Sequence, residues 1–486
     1  MERSRILDEI ARYCRAAGMA ESTFGRMAVN DGKLVGRIRD GGRISAKTLG
    51  RIRSYMAGNP GAQRALLVAS DQPVSEQPAA EAVVLQPSAE ALPRVRRVET
   101  APRPGGTWGP TDPESDTNFR FFDNRQKYLL FVNTCSEKWV ASNRVALELA
   151  HIHPRPPAVR VFDAGVGDGT VLARLMRAMH HRFPTTPFYV VGKEVSLEDI
   201  RLTLDKMPDR FFEHPASVLV LTNLYYGEAP WLTTRSTKAA GSFVWKECAL
   251  QGNSAHDFEQ QITALQPFLA ENWQARIGAN GNPVYDRPVA LVLYREDHKF
   301  LLDPIIPKLG AARAEFDLVV ASQPYRARAS AEFKAKKVVA PLARALGPGG
   351  RLIGIHSRGE DPGMEMIRKV WPDDNPFRTT RHDILKAVKQ ELGADARELS
   401  FNAYSDKRSI FRYDMHTLPS EVTSSIGTST LFAAWNAAVY VAQVEDGRLE
   451  EATLDGRYLD AARDVLRERG GLWFFDESYV ISRRRD

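Results

Sequence analysis

In this 486-residue chain, the stretch VRVFDAGVGDGTVL, residues 159–172, most plainly invites chemistry. An apolar run from Val159 to Phe162 reads as a buried strand that ends at Asp163. Gly165, Gly167 and Gly169 follow, and residues 170–180 continue with amphipathic helical spacing. Strand, glycine turn and helix form a cradle of the nucleotide-binding type. The glycines let a ligand approach the backbone, and the new helix presents free N–H groups. Spacing narrows the ligand. The dinucleotide fingerprint G-x-G-x-x-G, counted from Gly165, needs Gly at 170, where this chain has Thr170. No Lys-Ser/Thr phosphate loop is visible.

The pattern D-x-G-x-G-x-G resembles motif I of the class I S-adenosylmethionine-dependent methyltransferases. That resemblance assigns Asp163, Gly165, Gly167, Asp168 and Gly169 to S-adenosyl-L-methionine. The family's later landmarks follow in order. Residues 188–192 read as the second strand, and Glu194 beyond it is expected to accept both ribose hydroxyls. Residues 217–221 read as the third strand, and Asn223 after it is expected at the adenine edge. The fourth strand, 316–321, leads into Ser322-Gln323-Pro324-Tyr325, which resembles motif IV and would face the reacting centre. Methyltransferases acting on the amino groups of nucleic-acid bases read Asp/Asn/Ser-Pro-Pro-Tyr/Phe there, and Gln323 departs from that pattern. A helix over 331–346 and the turn Gly347-Pro348-Gly349-Gly350 precede the fifth strand, 351–356. The resemblance implies in-line displacement at a sulfonium methyl. Ser322, Gln323 and Tyr325 would orient an amine or amide acceptor, and for a hydroxyl acceptor His356 joins them as a candidate base. No metal-ligand spacing is visible.

These residues need an α/β scaffold. The expected fold is a Rossmann-like seven-stranded methyltransferase sheet with insertions over 116–486, plus a small all-α helix-turn-helix domain over 1–57. A Pro/Ala-rich flexible linker, 58–115, joins them. Residues 227–315 read as an insertion near the substrate mouth. It carries a helix over 256–274, a Gly/Asn turn over 278–282 and a strand over 289–294. Glu296, Asp297 and His298 after that strand are general-base candidates by type, or simply a solvated loop. Phe119, Phe122, Tyr128 and Phe131 either pack over a sulfonium cofactor or belong to a docking helix. Beyond the fifth strand, residues 381–392 read as a helix. Residues 398–414, 430–444 and 472–482 read as strands that supply the antiparallel sixth and seventh strands.

Charge divides the chain sharply. Residues 1–56 carry 12 Lys/Arg and 6 Asp/Glu, the whole formal +6 of the protein, leaving 54 of each sign elsewhere. Residues 20–56 resemble the phage-repressor-like helix-turn-helix family. The helix over 33–40 would then lie in a major groove, with Lys33 and Arg37 on its exposed face. The alternative is a basic helical bundle that contacts protein or forms a homodimer. Cys14, Cys135 and Cys248 lie far apart and offer no disulfide framework. No apolar run approaches a membrane span, so a bacterial, cytoplasmic protein with no membrane partner is expected. Three functions compete. One is a methyltransferase for a small molecule or protein, with a DNA- or partner-binding module. The second is a nucleic-acid base methyltransferase, and the third is a non-enzymatic DNA-binding regulator that senses the cofactor. A charge-neutral main domain favours the first.

Overall fold

The computed structural model describes residues 2–16, 21–29, 31–39, 46–57, 125–278, 283–416 and 426–485. The linker expected over 58–115, Phe119, Phe122 and most of the 278–282 turn lie outside these residues. Two compact units divide the chain near residue 105.

The first unit is all helical, with helices Glu2–Ala16, Glu21–Val29, Leu34–Arg39 and Ala46–Ala57. Ile6, Ile10, Phe24, Leu34, Ile38 and Ile52 fill its core, spaced to share the inner helix faces. Tyr13, Phe24 and Tyr55 meet edge to face, with centroids 5.5–6.1 Å apart. Lys33 and Arg37 are exposed. Arg37 is 2.7 Å from Asp31, and Arg39 is 3.1 Å from Glu21.

The second unit is built on a ten-stranded sheet. Its first strands are β1 (Val159–Asp163), β2 (Phe188–Lys193), β3 (Ser217–Thr222) and β4 (Val244–Leu250). A small hairpin, β5 (Ala275–Ile277) and β6 (Pro283–Tyr285), stands apart. Then come β7 (Val289–Arg295), β8 (Phe316–Ser322), β9 (Leu346–Ser357), β10 (Leu399–Asn402), β11 (Ile410–Asp414) and β12 (Trp473–Arg483). The spatial order is β10-β12-β9-β8-β1-β2-β3-β7-β4, with β11 also on β12. The five strands from β3 to β9 run parallel, and β12 lies antiparallel between β9 and β10. The strands are near-continuous apolar runs because both sheet faces are covered. Phe162, Val191, Val220 and Val319 enter one core, and Val161, Val190, Leu219 and Val320 the other. Sequence order reverses between β1 and β8, so the crevice beyond their carboxyl ends is the place for a ligand.

Seven of these strands answer the expected sheet, and β4, β7 and β11 are additional. Two expectations need correction, besides residues 398–414, which divide into β10 and β11 around the short helix Asp406–Ser409. Residues 430–444 are not a strand: Thr428–Val441 is a helix, buried at Leu431, Ala434, Trp435, Ala437, Ala438, Val439 and Val441. It is apolar nearly all round, because it packs into a separate cluster with Phe131, Tyr413, Val465 and Phe474. The second concerns Glu296, Asp297 and His298 in the insertion. The insertion extends the sheet, with β7 antiparallel to β3 and β4 parallel to β7. Tyr294 pairs with Val218, so β7 ends at the amino ends of the parallel strands. Glu296, Asp297 and His298 therefore lie at the edge opposite the glycine loop. Asp297 is bound to Arg295 and is 2.9 Å from His298.

Candidate active site

Local chemistry at the end of β1 follows from the glycines. Gly169 has φ 79° and caps the helix Thr170–Arg182; a Cβ there would come within 2.7 Å of Thr203 Cα. Gly165 is the opposite case: a Cβ would meet nothing within 4 Å, so the loop is open on that side. Thr203 Oγ1 donates to the Gly167 carbonyl at 2.9 Å, and Lys206 Nζ to the Asp168 carbonyl at 2.5 Å. These two contacts tie the loop to the helix Leu197–Leu204 and to Lys206 just beyond it.

Asp163 is buried at the carboxyl end of β1. Its Oδ1 accepts from the Gly165 N–H at 3.2 Å, and its Oδ2 has no hydrogen-bond partner among the described residues. Burial pushes this carboxyl up to about 7, against the pull of that N–H and of Lys138. Glu194, one strand over, accepts from the backbone N–H groups of Gly167 (3.0 Å), Val195 (2.8 Å) and Ser196 (3.0 Å). The two carboxylates thus flank the loop at neighbouring strand ends. Asp168 is different. Burial raises its pKa, but the Thr170 hydroxyl, Lys138 and Lys206 outweigh burial and keep it ionised.

Two residues that shape this cradle carry no signal in the motif. Tyr128 Oη accepts from the Asp168 N–H at 3.1 Å and also lies 3.4 Å from Asp168 Oδ1. Of the early aromatics, then, Tyr128 reaches the loop, whereas Phe131 packs at a tilt against Tyr440 in the helical cluster. Trp273, fully buried in the insertion, donates its indole N–H to the Glu194 carbonyl at 3.1 Å. Asn223, expected at the adenine edge, splices two strand ends with its side chain. Its amide donates to the Arg287 carbonyl and accepts from the Val289 N–H, each at 2.8 Å.

The Ser322–Tyr325 loop leaves β8 beside this cradle. Gln323 has φ 50° and donates its N–H to the Ile355 carbonyl at 2.9 Å. Its side chain donates to Ser357 Oγ (3.1 Å) and to both oxygens of Asp476 (3.2 and 3.3 Å). Gln323 therefore pins the loop to β9 and β12. Ser322 Oγ is buried and has no partner among the described residues. Tyr325 Oη lies 3.3 Å from Tyr479 Oη, and burial keeps both phenols protonated. His356 is buried between the two rings, with centroids 5.9 and 6.2 Å away, and burial pushes it down to about 4. It is a neutral imidazole near pH 7 and a weak base. Among the described residues no group of three or more His, Cys, Asp or Glu could hold a metal ion. No described helix is long and apolar enough to cross a membrane.

No family model matches the sequence, and no curated protein matches it. Solved structures of similar fold include the plantazolicin methyltransferase in complex with SAH, at 8% identity and TM-score 0.28 over 77% of this chain and 95% of that one. Geranyl diphosphate methyltransferase in complex with GPP and sinefungin shares 14% identity at TM-score 0.25, over 70% and 78%. The rRNA methyltransferase aviRa of Streptomyces viridochromogenes shares 15% at TM-score 0.18, over 45% and 73%. These likenesses are shallow; the fold itself rests on the strand order and the loop after β1.

Proposed function

We propose that this chain is an S-adenosylmethionine-dependent methyltransferase acting on a small molecule or a protein, joined to an N-terminal module that binds DNA or a partner. One observation carries the reading. Asp163 and Glu194 flank an open glycine loop at adjacent strand ends, and Asp163 keeps one buried oxygen without a partner. A buried polar atom left unpaired is costly, and a ligand donor offsets that cost. The open face at Gly165 leaves room for that ligand against the backbone.

In this reading Asp163 and the Gly165–Gly169 backbone hold the methionine part of the cofactor, and Glu194 holds the ribose hydroxyls. S-adenosylmethionine supplies, when bound, a methyl group already activated on sulfonium. The protein's part is to orient the acceptor, exclude water and move a proton where one is lost. Ser322 has a free hydroxyl for orienting, whereas Tyr325 and Gln323 hold the loop's shape.

Base methylation of nucleic acid is the weaker alternative. The left-handed φ of Gln323 excludes the proline that motif carries at this position. Exposed Lys33 and Arg37 favour an anionic partner for the N-terminal module instead. The decisive experiment is to incubate the protein with methyl-labelled cofactor and cell extract. Label entering metabolites or protein supports this function, and label entering nucleic acid alone overturns the acceptor class.

A further inference from the structure

The loops at the carboxyl ends of the parallel strands turn to opposite faces of the sheet. After β1 and β2 the chain enters the helices Thr170–Arg182 and Leu197–Leu204, whose Leu172 and Ile200 pack in one core. After β3 and β8 it goes the other way, with Leu224 and Val338 in the opposite core. The crevice at Asp163 and Glu194 therefore has the glycine loop on one side and the β3 and β8 loops on the other.

A single side chain joins those last two loops. Tyr226, just beyond β3, donates its phenol O–H to the carbonyl of Pro324, just beyond β8, at 2.8 Å. In the sheet β1 and β2 lie between β3 and β8, so the contact spans three strand spacings of about 4.8 Å each. Tyr226 thus stands over the ends of β1 and β2. The Lys193 ammonium, at the end of β2, is 4.7 Å from the centre of its ring. Burial, then the charges of Glu194 and Asp163, push the phenol up, so it stays a neutral donor. Both ends of the contact are firm. Gln323 pins the Pro324 side to Ile355, Ser357 and Asp476. On the Tyr226 side, Glu228 accepts from the N–H groups of Tyr225 (3.4 Å) and Arg235 (2.9 Å) and from the Tyr285 hydroxyl (3.2 Å).

We propose, on the methyltransferase reading, that Tyr226 is a positioning residue: its ring walls the cofactor crevice, and its bond to Pro324 sets the distance from bound cofactor to the Ser322–Tyr325 loop. Methyl transfer is sensitive to such spacing, since a misplacement of about 1 Å can cost about 100-fold in rate. Tyr226→Phe keeps the ring and removes the bond, and Tyr226→Ala removes both. Each full-length variant is compared with wild type by calorimetry with S-adenosylmethionine, by thermal melting, and by the initial rate at which methyl-labelled S-adenosylmethionine labels acceptors in cell extract. Tyr226→Phe is expected to bind S-adenosylmethionine within twofold of wild type and to transfer label at least tenfold more slowly. Tyr226→Ala is expected to weaken the cofactor at least fivefold as well. A merely structural tyrosine would lower melting and cofactor affinity together, without that split. Transfer by Tyr226→Phe at the wild-type rate defeats the positioning role alone, as does a loss of cofactor affinity equal to that of Tyr226→Ala. Tyr226→Phe by itself decides the matter should Tyr226→Ala not fold. If wild type binds the cofactor and labels nothing, the methyltransferase reading fails and the positioning role fails with it.

Discussion

At the scale of single residues, Asp163 concentrates the chemistry. It stood out in the sequence as a carboxylate at the end of an apolar run, followed by alternate glycines. Asp163→Ala and Glu194→Ala are each expected to weaken S-adenosylmethionine at least tenfold in calorimetry, about 1.4 kcal/mol. Unchanged affinity in both would remove the cofactor assignment. The pH dependence has a definite sign. Asp163 titrates near 7 when folded and near 4 when unfolded. Its contribution to stability is therefore complete below about pH 4 and lost as pH rises to about 7. Asp317 and Asp361, pushed up to about 6 by burial, act in the same direction. The informative quantity is the difference between wild type and Asp163→Asn in thermal melts from pH 4 to 8. The variant should lose less stability over that range. A cationic ligand favours the ionised carboxylate, so cofactor affinity should rise through pH 7 in wild type and stay flat in Asp163→Asn. Trp273 was not legible as a site residue, and Tyr128 was one of four aromatics that the sequence could not tell apart. Each reaches the loop or its flank from a remote segment, and only tertiary packing brings it there.

At the scale of elements, local periodicity succeeded where one face of the chain meets solvent and failed where none does. The helix Arg381–Leu392 follows its amphipathic spacing, whereas Thr428–Val441 is buried on most sides and offers no polar stripe to reveal its period. Strand direction was equally hidden. Nothing within residues 289–295 states that β7 runs antiparallel to β3, yet that direction carries Glu296–His298 to the edge opposite the glycine loop. The Ser322–Tyr325 loop shows how one residue sets an element's shape. Gln323 needs a left-handed backbone and a free N–H for the Ile355 carbonyl. Proline supplies neither, since its φ is fixed near −65° and it has no N–H. Gln323→Pro is expected to cost about 3 kcal/mol or more and to lower the melting temperature by several degrees. Gln323→Asn tolerates the left-handed conformation but is too short to keep the bonds to Ser357 and Asp476, so it should cost about 1–3 kcal/mol, less than Gln323→Pro. Equal melting of the two variants would show that the backbone conformation is not the constraint.

At the scale of the whole molecule, the question is why all of the net charge resides in residues 1–56 while the remaining chain balances 54 against 54. A catalytic domain that tracked phosphates would carry its own basic surface. Here the excess is confined to a unit with its own core, so it can be assayed by deletion. Within that unit the charge is partly answered internally, since Arg37 contacts Asp31 and Arg39 contacts Glu21 at exposed positions. Exposed pairs of this kind are weak, of order 0–1 kcal/mol, and a phosphate can replace either carboxylate. Deleting residues 1–57 is therefore expected to abolish salt-sensitive retention on duplex DNA while S-adenosylmethionine affinity stays within twofold. Lys33→Ala and Arg37→Ala should each weaken retention and lower the slope of log affinity against log salt by about 1. Asp31→Ala separates the two uses of Arg37. Freed from its internal partner, the guanidinium should bind DNA more tightly if it contacts phosphate. It should have no effect on DNA if the basic surface serves a protein partner or a second copy of this chain.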